Sequence, residues 1–306
     1  MTQNKIIATL ILLFFMAQLS AQTNPLWSEK KVKNYLPHMT TKEVAELLEK
    51  SDMVIIPIAA MEQHGDHLPM GTDFINGIER SKLIAQERDV LVAPVLFAGQ
   101  SPYHMGFPGT ISLKAETILQ VHLEAVDCLI KHGFKRFMIM NSHGGNTAIT
   151  GYLVDQINQN TSATAVNFEE AIRPFFAKST MKKVAPLLLD RHAGTPETSN
   201  SLYLMPDLVQ LELGKQSDLA LPSHLRNMIP LMLEGDPTAT LLFLSEGLKA
   251  EETGKKTSTL EMTPTGVWGE VNPKEATVER GRENALNIVK ASVQFIDKWN
   301  ELVSKK

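Results

Sequence analysis

Glu62, His64 and Asp73 share one short stretch, Met61-Glu62-Gln63-His64-Gly65-Asp66-His67-Leu68-Pro69-Met70-Gly71-Thr72-Asp73. Carboxylates and imidazoles without a thiolate are ligands suited to zinc, manganese or iron(II). Glu62 and His64 are two residues apart, so at an extended strand end both side chains point the same way. Asp73 carries two oxygens and could bridge two ions; it could also be the N-cap of a following helix. His67, in the same loop, reads as a structural histidine, and Gly65 and Gly71 permit the turns that bring Asp73 back towards Glu62. Asn141-Ser142-His143-Gly144-Gly145-Asn146 offers a third imidazole, and Asp190-Arg191-His192-Ala193-Gly194-Thr195-Pro196-Glu197 adds His192 and Glu197. Pro196-Glu197 reads as a helix start, where the dipole favours a carboxylate, so Glu197 is either a metal ligand or a first-turn acid. Tyr103 and His104 lie in a long Gly/Pro-bearing loop, residues 99–111, and could contact a substrate. Trp268, in Gly266-Val267-Trp268-Gly269, is a pocket wall or ordinary core.

The elements that must hold these residues alternate. Apolar residues 53–60 and 135–140 each run directly into one of the imidazole loops, as buried parallel strands do in an α/β sheet, whose ligands gather at the carboxyl ends. Residues 90–97 and 163–168 read as two further strands. Helices are expected over 42–49 capped by Thr41, from Asp73 through 86, from a Ser112 cap to 132, over 147–158, and over 277–302 with Leu286, Val289, Val293 and Ile296 inward. The order predicts an α/β fold, a three-layer sandwich around a mainly parallel sheet. Residues 215–254 lack a clean period and read as an excursion or an oligomer contact.

EQHGDHLPMGTD, HMGFPGTISL, NSHGGN and HAGTPETS, in this order, resemble the creatininase (creatinine amidohydrolase) family of metal-dependent amidohydrolases. The resemblance runs from about Leu47 to the C-terminal helix. It implies a creatininase-like sandwich, metal ligation by Glu62, His64, Asp73 and His143, and a catalytic or substrate-contacting imidazole at His192. It also implies two divalent ions (Zn, Mn or Fe(II)) and a homo-oligomer, a hexamer in the family. The family carries a glutamate two residues after the second-motif histidine; here that position is Gly145. Glu197 is the replacement expected to complete the second metal site. The reaction implied is hydrolysis of a C–N bond by metal-activated water, with His192 protonating the leaving nitrogen. The substrate is a small amide, a cyclic amide or a short peptide. Creatininases show tryptophan near the HAG motif, whereas residues 168–194 hold Phe175 and Phe176 and no Trp. The alternative is a noncatalytic exported protein that keeps the pocket to bind a metal or solute. Absence of a Gly-x-Ser-x-Gly motif argues against an acyl-enzyme route.

Charge and cysteine content bound the remaining classes. Lys5 precedes an apolar run over residues 6–16, and Leu19-Ser20-Ala21 offers a cleavage site, so residues 1–21 read as a signal peptide and 22–306 as a single amidohydrolase domain. The run is too short for a comfortable membrane span, so no stable insertion is expected after cleavage, and the mature protein would be periplasmic or secreted. Removing the leader takes away one charge, Lys5, and moves the net charge from −4 to −5. A mildly acidic chain without a basic stripe is a poor partner for nucleic acid. Cys128, the only cysteine, reads as a buried small hydrophobe.

Overall fold

Every residue of the first strand is buried, and its alternation decides how the layers form. In β1 (Met53–Ile58), Val54, Ile56 and Ile58 pack into one apolar cluster and Met53 and Ile55 into another. β3 (Arg136–Asn141) divides likewise, with Phe137 and Ile139 on one side and Met138 and Met140 on the other. Successive strand side chains point to opposite faces, so each face needs its own cover. The first cluster is closed by helices Thr41–Leu48, Ala115–Lys131 and Thr147–Asn160 through Leu47, Val126, Leu153 and Ile157. The second is closed by Thr72–Glu87, Phe168–Ile172 and Val278–Ser304 through Ile84, Phe168, Ile172, Ala291 and Ile296. The result is an α/β sandwich of three layers.

The computed structural model describes residues 30–94, 99–176, 190–269 and 271–304. The expected leader, 1–21, lies outside them, as does the distal part of the 90–97 segment. The described residues from Lys33 onward form one unit. Among the described residues no helix is long and apolar enough to cross a membrane.

Four strands pair in the order β2-β1-β3-β4, all parallel, with β2 at Leu91–Val92 and β4 at Thr164–Asn167. The chain moves outward from β1 to β2, then returns to the other side of β1 to lay down β3. That reversal opens a crevice at the carboxyl ends of β1 and β3, where open α/β sheets hold ligands. The register puts Ile58 beside Asn141, so the loops carrying His64 and His143 leave the sheet side by side. Asn146 ties them together: its amide donates to the Ala59 carbonyl at 3.1 Å, and its oxygen accepts from the Gln100 N–H at 3.0 Å.

Several expectations shift by a residue or more. Thr40, not Thr41, caps the first helix, in a reciprocal capping box with Glu43. Ser112 does not cap the 115–131 helix, because its hydroxyl accepts from the Ser101 N–H instead. Cys128 is exposed rather than buried. The inward stripe of its helix is Ile118, His122 and Val126 at spacing four, and a residue two beyond Val126 falls on the opposite side. Leu286 is also exposed, because the inward stripe of Val278–Ser304 runs through Gly281, Ala285, Ser292 and Ile296. The 215–254 segment folds into short helices, Ser223–Arg226, Ile229–Leu233 and Pro237–Glu246. They surround a third cluster built on Leu225, Met232, Phe243, Met262 and Trp268.

Candidate metal centre

The β1 loop is closed by its own backbone: the Glu62 N–H donates to the Met70 carbonyl at 3.1 Å, and Gly65 turns at φ +67°. This returns the chain so that Asp73, in the first turn of Thr72–Glu87, faces Glu62 and His64. Glu62, His64, Asp73 and His143 are all nearly or fully buried. His143 Nδ1 lies 3.2 Å from Glu62 Oε1 and 3.1 Å from Asp73 Oδ2. His64 Nε2 lies 3.4 Å from Asp73 Oδ1 and 3.8 Å from Glu197 Oε2. Three overlapping groups follow, Glu62–Asp73–His143, His64–Asp73–Glu197 and Glu62–His64–His192, each with ligand atoms within 4.8 Å of one another. Asp73 offers one oxygen to each of the first two, as a bridging carboxylate does; its side chain caps no helix.

Each imidazole at the cluster is fixed through its other nitrogen. His64 Nδ1 donates to the Glu62 carbonyl at 3.1 Å, His192 Nε2 to the Gln63 carbonyl at 2.5 Å, and His143 Nε2 to the Gln100 carbonyl at 3.0 Å. Tyr103 Oη lies 2.9 Å from the same His143 nitrogen. Backbone carbonyls that fix the tautomer and aim the free nitrogen are the usual outer partners of metal-bound histidines. The atoms left over fit a cation as well: His64 Nε2 and Glu62 Oε2 are buried and have no hydrogen-bond partner. A buried polar atom without a partner is costly.

The charges tell the same story. Burial alone would lower the His64 pKa, but Asp73, Glu197 and Glu62 overcome it and raise it to about 10. For His143 too, burial is outweighed by Glu62 and Asp73, which hold it well above the ordinary imidazole value. Protons on these two rings occupy the place a metal cation would take. His192 is different: burial and nearby His64 lower its pKa, so it stays neutral, with Nδ1 open towards Glu62 Oε1 at 3.5 Å.

Glu197 reaches the cluster from helix Thr195–Leu204. Its Oε2 accepts from the Ala193 N–H at 2.5 Å, which Ala193 can offer because it sits in the left-handed region at φ +53°. A side chain other than glycine held there is strained, by about 1–2 kcal/mol. The C-terminal helix braces this segment, with Asn284 donating to Asn200 at 2.8 Å. Gly145 shows why no acid can stand two residues after His143: a Cβ there would meet Tyr103 Oη at 2.2 Å and the Gln100 carbonyl at 2.5 Å. Tyr103 fills the space that a longer side chain at Gly145 would need.

A cavity of about 190 Å³ opens over the cluster. Its lining includes Glu62, Asp73, Tyr103, His104, His143, His192, Glu197 and Trp268, so the three residues expected to meet substrate line it together with the ligand candidates. His104 is buried; Gln63 Nε2 donates to its Nδ1 at 2.9 Å, which leaves Nε2 facing Glu62. His67 stands apart, with Nε2 on the Thr198 hydroxyl. Trp268 is both wall and core: it stacks on Phe243 and pairs with His192 in an antiparallel bridge. Two lining elements went unread in the sequence. Helix Pro237–Glu246 brings Phe243 and Leu244, and Arg191 comes from the turn beside His192. Arg191 lay inside a quoted motif; Phe243 gave no signal, since the run Leu241-Leu242-Phe243-Leu244 has no helical period.

The family model for creatininase, creatinine amidohydrolase, matches residues 37–296. The chain belongs to the creatininase family. Its relatives include a creatinine amidohydrolase of Pseudomonas putida, 30% identical over 58% of this chain and 74% of that one. A mycofactocin precursor peptide peptidase of Mycobacterium tuberculosis is 30% identical over 83% of this chain and 88% of the peptidase. A 3-dehydro-scyllo-inosose hydrolase of Thermotoga maritima is 28% identical over 60% of each chain, so the match spans less than two thirds of that relative's length. Among solved structures, a creatininase mutant described as of Zn-Zn type superposes with TM-score 0.63 at 22% identity, covering 86% of this chain and 95% of that one. At that identity the likeness speaks for the fold alone. Family membership places the chain among hydrolases of amide C–N bonds.

Proposed function

We propose that this creatininase-family chain hydrolyses the C–N bond of a small amide, a cyclic amide or a short peptide at a centre of two divalent metal ions. The supporting observation is Asp73, with one oxygen directed to the Glu62–His143 group and the other to the His64–Glu197 group. Glu62, Asp73 and His143 would hold one ion, and His64, Asp73 and Glu197 the other. Zinc or manganese fits the donor set, and relatives of known structure are described with one or the other. Bound divalent ions would lower the pKa of a ligated water and polarise the amide carbonyl.

The chain's own residues carry the proton and exclude alternatives. His192 is neutral and fixed through Nε2, so Nδ1 is a proton acceptor aimed at the cluster. It takes a proton from the attacking water and delivers it to the leaving nitrogen, which extends the expected role as an acid. His104, held by Gln63, presents Nε2–H into the same space and can donate to a substrate oxygen. The small cavity admits a small molecule or one end of a peptide.

The N-terminal residues fit export to the periplasm or beyond, and the family supports a homo-oligomer; both belong to this reading. The alternative, a noncatalytic binding protein, would hold metal or solute in this pocket without turnover. The test is a screen of cyclic amides, formamides and short peptides. Turnover should vanish on chelation and return with Zn²⁺ or Mn²⁺, and undiminished turnover by fully metal-depleted protein would rule the mechanism out.

A further inference from the structure

Arg191 lines the cavity over the metal centre and is itself solvent-exposed. It is the only lysine or arginine among the described lining residues. Its guanidinium has no hydrogen bond or ion pair with any described residue. The adjacent carboxylate does not serve it: Asp190 Oδ2 accepts from the Thr195 N–H at 3.2 Å, turned into the 194–195 bend. The backbone of Arg191 is fixed, with its N–H on the Trp268 carbonyl at 2.8 Å, so the side chain starts from a rigid bridge beside His192. A planar fork of donors at the edge of a pocket, held at its root and unpaired at its tip, matches a carboxylate in shape and charge.

The balance of charge points the same way. The three carboxylates of the cavity, Glu62, Asp73 and Glu197, would offset three of the four positive charges brought by two divalent ions. With neutral histidines, the loaded pocket keeps a net positive charge even before Arg191 is counted. The same lining includes an apolar set, Phe243, Leu244 and Leu248. We propose that the substrate is an amide bearing a carboxylate away from the scissile bond, and that Arg191 binds this carboxylate while Phe243, Leu244 and Leu248 hold an apolar group. The inference rests on the metal-dependent reading above and adds the substrate's charge.

The test compares matched probes on metal-loaded protein by calorimetry: N-acetylphenylalanine against N-acetylphenylalaninamide, and N-acetylglycine against N-acetylglycinamide. The native protein should favour each carboxylate over its carboxamide by about tenfold or more, the effect of a charge-assisted pair. Arg191→Gln should bring the two members level, and Arg191→Lys should keep part of the preference, with the metal content of both variants equal to native. A carboxylate preference that survives Arg191→Gln would assign the anion to the metals and overturn the proposal. Absence of any preference in the native protein would also overturn it. Either result leaves the hydrolase reading standing, since that reading fails only when metal is not needed for turnover.

Discussion

Three backbone carbonyls, those of Glu62, Gln63 and Gln100, decide which nitrogen each histidine shows to the centre. The consequence is linkage between metal and protons. Without metal, His64 and His143 are held protonated by the surrounding carboxylates, with His64 at about 10. A metal must displace those protons, so its affinity rises with pH as long as the pH lies below the raised pKa values. The expected slope between pH 6 and 8 is about tenfold per pH unit for each proton released. Calorimetry in buffers of different ionisation enthalpy checks it, and a pH-independent affinity would show that the rings are neutral beforehand. Tyr103→Phe removes one of two partners of His143 Nε2 and leaves the Gln100 carbonyl. It should weaken metal binding by about tenfold, at the low end for outer partners, in a chelator competition. The candidate ligands were legible in the sequence because each follows an apolar strand or opens a helix. Arg191 was not, since an arginine beside an aspartate gives no sign of whether the two pair.

The strands were legible because their apolar runs are continuous, and the 72–87 and 147–160 helices because they follow polar loops at a helical period. The 215–254 segment was not. Pro237–Glu246 has Leu241, Leu242, Phe243 and Leu244 in succession, which carries no period, and the flanking helices are only four and five residues long. Its role emerges only from the fold: Phe243 is fully buried, stacks on Trp268 and forms part of the cavity wall. Phe243→Ala should cost about 3–5 kcal/mol of stability, as deletion of a buried aromatic does. It should also raise KM more than it lowers kcat, because the wall contacts substrate and not the reacting atoms. Denaturant unfolding and steady-state kinetics read the two effects separately. Exposed Cys128 and Leu286 teach a smaller lesson: an apolar residue one or two positions off the inward stripe faces outward whatever its type.

At the scale of the molecule, the strand order reverses at β1, and several separate segments meet at the crevice this opens. Glu62, Asp73 and Glu197 lie buried or half-buried within a few ångströms of the same imidazoles, so like charges crowd one point unless cations are present. On the proposed reading, bound metal would contribute to folding stability as well as to chemistry. With metal at about 100 times its Kd, the contribution is about 2.7 kcal/mol, and chelation should lower Tm by roughly 5–10 °C in scanning calorimetry. An unchanged Tm would mean that the folded chain holds no metal under those conditions.

Glu197 is the residue on which the second metal site depends. Gly145 has no room for the acid that the family resemblance implies there, and Glu197 faces His64 from helix Thr195–Leu204. Metal content per chain, measured by mass spectrometry on native protein and on Glu197→Gln, tests this directly. The account predicts about two divalent ions in the native chain and about one in the variant, with the fold intact by circular dichroism. Full occupancy in Glu197→Gln would contradict it and leave Glu197 as a first-turn carboxylate of its helix.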